Sequence, residues 1–426
     1  MNQSSSTARP VGESDRIAAL DILRGVALFG VLLVNFVDFA GPGTMATKAQ
    51  MAALPTYEFD RFVHFAIEVL VGDKAMSIFA FLFGLGFYIQ MQRGSARGGF
   101  ERRYRRRLTV LLGIGIANTL FLWAWDILNL YALAGFALLA MRGWKSRSLL
   151  VFGIIAACWG NNAQEALLGA FGYDPLVAWS SSSDAAVFER QALSQAGNYP
   201  GLVSEFWRVN LQDYLLTTAI LAWMIYALGR FALGAWVGRM GLLHDSFAHL
   251  PLFRRIAAIA IPIGLVAALA VRLLTEGIVT PLFGMAIDWK LVGNVLRPAS
   301  ALVLAAGYVS GLMVAIHIPL GGRLLAPFAP VGQMALTNYL AQGLIIAFVL
   351  FGVPPGLALA GKIGTTAILF ISIAFFAAQM LFSRWWLARY RFGPMEWVWR
   401  SLTYGERPAM RRAELASVVG RKGTFG

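Results

Sequence analysis

Repeated apolar runs, each long enough to bridge a lipid bilayer, limit this chain more than any other feature. Hydrocarbon about 30 Å thick is crossed by about 20 residues of helix. The composition matches: 58% hydrophobic, 14% charged, and a mean hydropathy of +0.64 over 426 residues. Soluble domains are about 45–50% apolar and about 25% charged. A disordered tail, a collagen and a nucleic-acid-binding domain are excluded on the same grounds. Ten apolar windows read as helices: Ile17–Ala40, Lys74–Gln90, Leu108–Trp125, Ile127–Met141, Leu149–Ala170, Tyr214–Trp236, Ile256–Thr275, Ala299–Ile318, Val331–Gly352 and Gly364–Trp385. The third and fourth meet at Trp125-Asp126 as a tight hairpin. The expected class is all-α, a polytopic membrane helical bundle of about ten transmembrane helices.

Charge then orients the bundle. The net charge of +14 comes from 36 Lys and Arg against 22 Asp and Glu. With both termini cytoplasmic, 25 basic residues fall on that side and 7 outside, the asymmetry that topology follows. Topology and anionic lipid therefore account for the excess charge, and no nucleic acid partner is implied. Residues 1–16 read as a cytoplasmic segment, 17–385 as one membrane domain, and 386–426 as a cytoplasmic tail anchored by Trp385, Trp386, Trp397 and Trp399. Gly41–Asp73 and Gly172–Asp213, the latter with a serine patch at Ser180–Ser183, are the sizeable external segments. Asp21 and Arg24 interrupt the first run, so it is a retained helix and not a cleavable signal. The single cysteine, Cys158, precludes an intramolecular disulfide. No internal repeat is visible, which disfavours a secondary transporter.

Polar side chains within apolar runs are costly and call for a partner or a task. On the first helix, Asp21, Arg24 and Asn35 fall on one stripe at 100° per residue, beside Gly25. Such a stripe lines a substrate path or makes an internal ion pair with a packing contact. Asp60, His64 and Glu68, at i, i+4 and i+8, share one face of an external amphipathic stretch, Tyr57–Val71. An imidazole flanked by two carboxylates suits general-base or acyl-accepting work; the same pattern also fits the wet face of an interfacial helix. Asp126, next to Asn129, reads as a helix N-cap or a site residue. Asn338 and Gln342 either bond across helices or line a site. Phe83-Gly84-Leu85-Gly86 lacks the strand context of a dinucleotide fingerprint and reads as small-residue helix packing. The basic run Arg93–Arg107, including Arg102, Arg103 and Arg106, is a stop-transfer and headgroup feature that also suits phosphate binding. No ligand set of zinc-type spacing is present, so no metal is expected.

Several segments resemble one family. Arg16-Ile-Ala-Ala-Leu-Asp21-Ile-Leu-Arg24-Gly25 followed by Asn35 is similar to the opening of YeiB-type bacterial membrane proteins, a family of unknown function. Gly72-Asp-Lys74, Phe81-Leu-Phe-Gly84-Leu-Gly86, Asp126-Ile-Leu-Asn-Leu-Tyr131-Ala, Gly332-Gln-Met-Ala-Leu-Thr-Asn338-Tyr339 and Gly393-Pro-Met-Glu396-Trp-Val-Trp399-Arg400-Ser-Leu-Thr-Tyr404-Gly405 follow in the family's order. Gln333 stands where the family more often has Arg. The first-helix pattern also resembles, more distantly, the transmembrane acyltransferases that include heparan-α-glucosaminide N-acetyltransferase. That resemblance implies transfer of an acyl group from cytosolic acyl-CoA to an acceptor across the membrane, with a histidine after the first span, here His64.

The expected function is thus an inner-membrane, multi-pass acyltransferase. Acyl-CoA or acetyl-CoA would dock near Arg24, Asn338 and the Arg102–Arg107 cluster. The thioester would rise past Asp21, Arg24 and Asn35, and His64, oriented by Asp60 or Glu68, would serve as base. Expected partners are membrane lipids, a small-molecule, glycan or lipid acceptor, and a second copy in a homodimer. A transporter or lipid-handling protein with no covalent step is the rival reading, and a structural or signalling scaffold is a third.

Overall fold

The computed structural model describes residues 13–95, 99–122, 126–170, 182–212, 219–243, 246–278, 288–352 and 356–412. Among them run α1 (Glu13–Ala40), α2 (Lys48–Ala52), α3 (Tyr57–Leu70), α4 (Lys74–Ser95), α5 (Phe100–Phe121), α6 (Ile127–Ala140), α7 (Ser146–Ala170), α8 (Asp184–Gln195) and α9 (Tyr199–Asn210). The chain continues through α10 (Ala219–Arg239), α11 (Leu250–Thr275), α12 (Trp289–Ile316), α13 (Pro319–Leu325), α14 (Phe328–Gln333), α15 (Ala335–Val349), α16 (Thr365–Arg389) and α17 (Pro394–Tyr404). Six stretches are long and apolar enough to cross a membrane: Ala18–Ala40, Tyr57–Gly94, Ala219–Arg239, Leu250–Thr275, Trp289–Ile316 and Thr365–Arg389. Ile127–Gly143, Ser146–Gly160 and Ala335–Val349 are shorter apolar helices. The protein is a helical, polytopic membrane bundle.

The first helix is the hub. Leu23, Leu28, Leu32 and Phe36 of α1 are fully buried, and the helix packs on α4, α14, α15 and α16. At the rim α11 pairs with α12 and turns Ile259, Ile263 and Val266 outward. These sit at i, i+4 and i+7, a continuous apolar stripe that a water-soluble protein would cover and that lipid tolerates. Gly84 of α4 meets the backbone of Phe231 on α10 so closely that no side chain fits between them. The Phe83–Gly86 glycines therefore serve, in part, the close helix packing that their sequence suggested.

Around the C-terminal end of α1, the helices α2, α8 and α9 form a cap. Its anchor is Arg190, 1% exposed, whose guanidinium donates to the carbonyls of Gly43 and Thr44 and pairs with Glu205 at 3.2 Å. Gln191 adds a hydrogen bond to the Met45 carbonyl at 2.7 Å. Through this buried pair and the carbonyls that Arg190 holds, α8 and α9 are fixed to the chain that leaves α1.

Several boundaries differ from the apolar windows. The third window begins at Leu108, yet α5 already starts at Phe100 and carries Arg102, Arg103, Arg105, Arg106 and Arg107 on its first two turns. The eighth begins at Ala299, whereas α12 starts at Trp289 behind an Asp288 cap that accepts from the Lys290 and Leu291 amides. Both windows missed polar turns that are helical because they pack on neighbours. The ninth, Val331–Gly352, is not one helix. Pro327, Pro330 and Gly332 crowd its start, and α14 stops at Met334 before α15 resumes at Ala335. The start of the sixth window at Tyr214, Trp123 and Trp125, and Ser180 and Ser181 of the serine patch lie outside the described residues.

Candidate functional site

The break between α14 and α15 forms part of the wall of a cavity. Irregular backbone inside a membrane protein is tolerated where it lines a cavity or is buried in protein, and Gly332, Gln333, Ala335 and Leu336 all face this one. Its volume is about 970 Å³, at the upper end of the roughly 300–1,000 Å³ range of small-molecule sites. The walls come from α1, α4, α5, α6, α14, α15 and α17. Six arginines line it, Arg24, Arg93, Arg103, Arg107, Arg391 and Arg400, against two acids, Asp21 and Glu396. Farther in, Phe79, Phe83, Leu111, Leu128, Tyr131 and Tyr339 replace the charges. The result is a strongly cationic region that gives way to an apolar, aromatic one.

Each wall is positioned by local chemistry. On α5, Phe100, Arg103, Tyr104, Arg107 and Leu111 fall on one helical face, so two of the helix's five arginines line the cavity. Arg102 and Arg106 point away and are exposed. The Arg107 guanidinium lies 3.6 Å from the Trp399 ring, and the Trp399 indole donates to the Arg107 carbonyl at 2.9 Å. Arg391 and Arg400 both approach the Phe392 ring, at 5.1 and 4.7 Å. A guanidinium held against an aromatic ring keeps its charge and its planar donors for phosphate or carboxylate; Arg107 and Arg391 are half-buried and Arg400 is exposed. Beyond α16, Arg391, Phe392 and the α17 residues Glu396, Trp399, Arg400, Thr403 and Tyr404 form one wall of the cavity.

The two most specific sequence motifs meet here. Glu396 of α17 accepts hydrogen bonds from the Leu336 amide at 2.7 Å, the Thr337 amide at 3.1 Å and the Thr337 hydroxyl at 2.5 Å. It caps the start of α15 from another element, placing a carboxylate at a helix N-terminus where the dipole favours it. Burial pushes the Glu396 carboxyl above its ordinary range, while these donors pull the other way. At the opposite wall, Gly332 packs so tightly on the Asp21 carbonyl and Gly25 on the Phe328 carbonyl that a Cβ at either position would clash. That contact holds the α14–α15 break beside α1.

Of the stripe predicted on α1, Asp21 and Arg24 reach the cavity and pair with each other. Gln333 also hydrogen-bonds the Asp21 carboxylate. Asn35 does not join them: on the same face, Leu28 and Val31 are 0% and 1% exposed and fill the space between with hydrocarbon. The expected polar path from one leaflet to the other is therefore interrupted, and Asn35 lies half-buried beyond it.

Asn338 and Gln342 also lie outside the lining, and for a clear reason. The Asn338 amide donates to Ser383 at 3.0 Å, Gln379 donates to the Asn338 carbonyl at 2.9 Å, and Gln342 donates to Gln379 at 3.1 Å. They tie α15 to α16, the packing role that was the alternative reading. Asp126 is 1% exposed and accepts a hydrogen bond from the Tyr339 hydroxyl at 2.7 Å. It thus touches the cavity through Tyr339.

The Asp60–His64–Glu68 face forms as its spacing predicts, but its carboxylates are engaged elsewhere. Asp60 accepts from Thr56 at 2.6 Å and from the Thr366 amide at 2.7 Å, capping α16. Glu68 lies 3.6 Å from Arg272 and 3.4 Å from Arg297, and Arg297 also holds Asp73 at 2.7 Å. Neither carboxylate hydrogen-bonds His64, and His64 does not line the cavity. Tyr339, Arg391, Arg400 and Trp399 are the functional candidates that pattern reading missed. Their signal was present in the two C-terminal motifs, whose specificity came without an apolar period to explain it.

Comparison with known proteins agrees with this emphasis. A family described as "Protein of unknown function (DUF418)" matches residues 237–406, which include both motifs. Over 414 residues the chain is 29% identical to the uncharacterized protein YxaH of Bacillus subtilis (strain 168), covering 94% of this chain and 97% of that one. It is 28% identical over 410 residues to the uncharacterized protein YeiB of Escherichia coli (strain K12), covering 91% and 96%. An uncharacterized 39.9 kDa protein of Bacillus acidopullulyticus, encoded in an amylase 3' region, is 28% identical over 406 residues, covering 93% and 96%. The YeiB-like character read from the motifs holds along nearly the whole chain.

Proposed function

We propose that this YeiB-like membrane protein is an acyltransferase that takes its acyl group from cytosolic acyl-CoA and passes it to an acceptor at or beyond the outer face of the bacterial inner membrane. The observation that carries this reading is the charge gradient of the cavity. Six arginines gather where a nucleotide's phosphates would be bound, and an aromatic, apolar end lies where a thioester would be kept from water. The positive-inside asymmetry supports an orientation with both termini and this cationic region in the cytoplasm. Acyl-CoA or acetyl-CoA is the donor substrate, and a small molecule, glycan or lipid the acceptor.

Permeation without a covalent step is the rival. It needs a polar path through the bundle, and the buried Leu28 and Val31 weigh against one along α1. Incubating the purified protein and inner-membrane extract with [14C]acetyl-CoA separates the two. Lasting label on an acceptor is expected. Flux of label across proteoliposomes, with acetyl-CoA recovered intact and no labelled product, would overturn the acyltransferase reading.

A further inference from the structure

A cavity that binds a charged ligand needs donors that the protein does not already use. Most hydroxyls on its walls are taken. Tyr339 is bonded to Asp126 and to the Ile127 amide, Tyr131 donates to the Met76 carbonyl at 3.5 Å, and Thr403 donates to the Trp399 carbonyl at 2.6 Å. Tyr404 is 53% exposed. Tyr104 differs from all of these. It lines the cavity and is 3% exposed, and its ring packs on Phe87 at 4.9 Å and on Phe100 at 5.3 Å between centroids. Among the described residues no group hydrogen-bonds its hydroxyl. Nearly every polar group on so buried a residue has a partner, and the lining position leaves that partner to come from the cavity.

The neighbour on the same face of α5 is Arg107, three residues on, whose charge the Tyr104 oxygen feels. Of the other arginines, Arg24 is paired with Asp21, and Arg391 donates to the Ala409 carbonyl at 3.4 Å. Arg107 forms no ion pair with a carboxylate among the described residues and lies over the Trp399 ring instead. One turn further along α5, Leu111 is 1% exposed and begins the apolar end. Tyr104 and Arg107 therefore stand where the charge of the cavity stops. A phosphate held at this boundary is one whose ester arm continues uncharged past Leu111 toward Leu128 and Tyr131.

We infer that Tyr104 and Arg107 form the subsite for the phosphate that bears the donor's pantetheine arm, so that the cavity selects 4′-phosphopantetheine thioesters by this phosphate and not by the ribose 3′-phosphate. The inference rests on the acyl-CoA reading. Tyr104 donates its hydroxyl proton to one phosphoryl oxygen, and Arg107 donates from the edge of its plane while its face stays on Trp399. Arg103, Arg391 and Arg400 are left for the remaining charge of the nucleotide.

The test uses the full-length protein in nanodiscs and calorimetric affinities for CoA and 3′-dephospho-CoA, with pantetheine 4′-phosphate measured by displacement of CoA. Tyr104→Phe keeps the ring against Phe87 and Phe100, so its thermal stability should equal that of wild type. Its affinity for CoA should fall by about tenfold or more, the loss of one hydrogen bond to a charged group, and by the same factor for both shorter ligands. Unchanged CoA affinity overturns the inference. A loss of stability also overturns it, because the hydroxyl would then have a partner within the protein. A factor that vanishes with dephospho-CoA assigns Tyr104 to the 3′-phosphate, and one that vanishes only with pantetheine 4′-phosphate assigns it to the phosphate on the adenosine; either result overturns the arm-phosphate subsite. Wild-type protein that binds CoA but not pantetheine 4′-phosphate overturns it as well and leaves the donor site standing. Wild-type protein that binds no CoA overturns the acyl-CoA reading itself.

Discussion

Replacing Glu396 by alanine tests how the cavity is held open. Three donors converge on this carboxylate: the Leu336 and Thr337 amides and the Thr337 hydroxyl. A hydrogen bond to a charged group contributes about 1.5–3 kcal/mol, and loss of a helix cap costs about 0.5–2 kcal/mol. The three bonds share one carboxylate whose burial is itself unfavourable, so their contributions do not add. A net loss of about 2–4 kcal/mol follows for Glu396→Ala. Glu396→Gln keeps an acceptor for both amides, which share Oε1, and replaces the acceptor of the Thr337 hydroxyl by a donor to it, so it should lose about 1 kcal/mol. Because unfolding in detergent is irreversible, the comparison is read as the temperature at which half the protein leaves the monodisperse peak after fixed heating. Alanine should lower that temperature clearly, glutamine only slightly. Alanine should also weaken CoA binding, because the start of α15 forms the cavity wall. Equal stability of the alanine variant and wild type would refute the view that Glu396 is a cap.

Three further outcomes follow from single contacts. Gly332→Val should cost more than about 2 kcal/mol and reduce the folded yield, since any Cβ collides with the Asp21 carbonyl; normal yield and melting would contradict the close α1–α14 contact. Arg190→Met should cost about 3 kcal/mol, the low end for a broken buried pair, because Arg208 at 2.7 Å still partners Glu205, and limited proteolysis should detach the α8–α9 cap first. His64→Ala should leave CoA release from acetyl-CoA within about twofold of wild type, the expectation for a residue with no part in a step to which a general base adds about 100-fold or more; a loss of that size would return the base to His64.

The sequence disclosed the bundle because lipid imposes a single rule, an unbroken apolar run, that needs no knowledge of neighbours. It also disclosed the local polar spacings. Asp21 and Arg24 do pair, and Asp60, His64 and Glu68 do share a face. What spacing cannot supply is the partner from a distant segment. Asp60 is claimed by Thr366 and Glu68 by Arg272 and Arg297, and nothing within Tyr57–Val71 announces either. Asn35 shares the stripe of Arg24, but what closes the gap is the burial of Leu28 and Val31, a tertiary property. The tryptophans after the last span read as an interfacial anchor because an amphipathic helix there has that pattern whether it lies on lipid or closes a pocket. The motifs were the better guide, since they fix one another: Thr337 of Gly332–Tyr339 is held by Glu396 of Gly393–Gly405, and Tyr339 by Asp126 of the motif that opens α6.

The most direct measurement of the central claim is a cryo-electron-microscopy reconstruction of the protein in nanodiscs at saturating CoA. The account predicts density with its phosphate end among Arg103, Arg391 and Arg400 and its pantetheine arm reaching toward Tyr339. A reconstruction with that cavity resolved and empty of CoA, or with CoA bound at another surface, would contradict it.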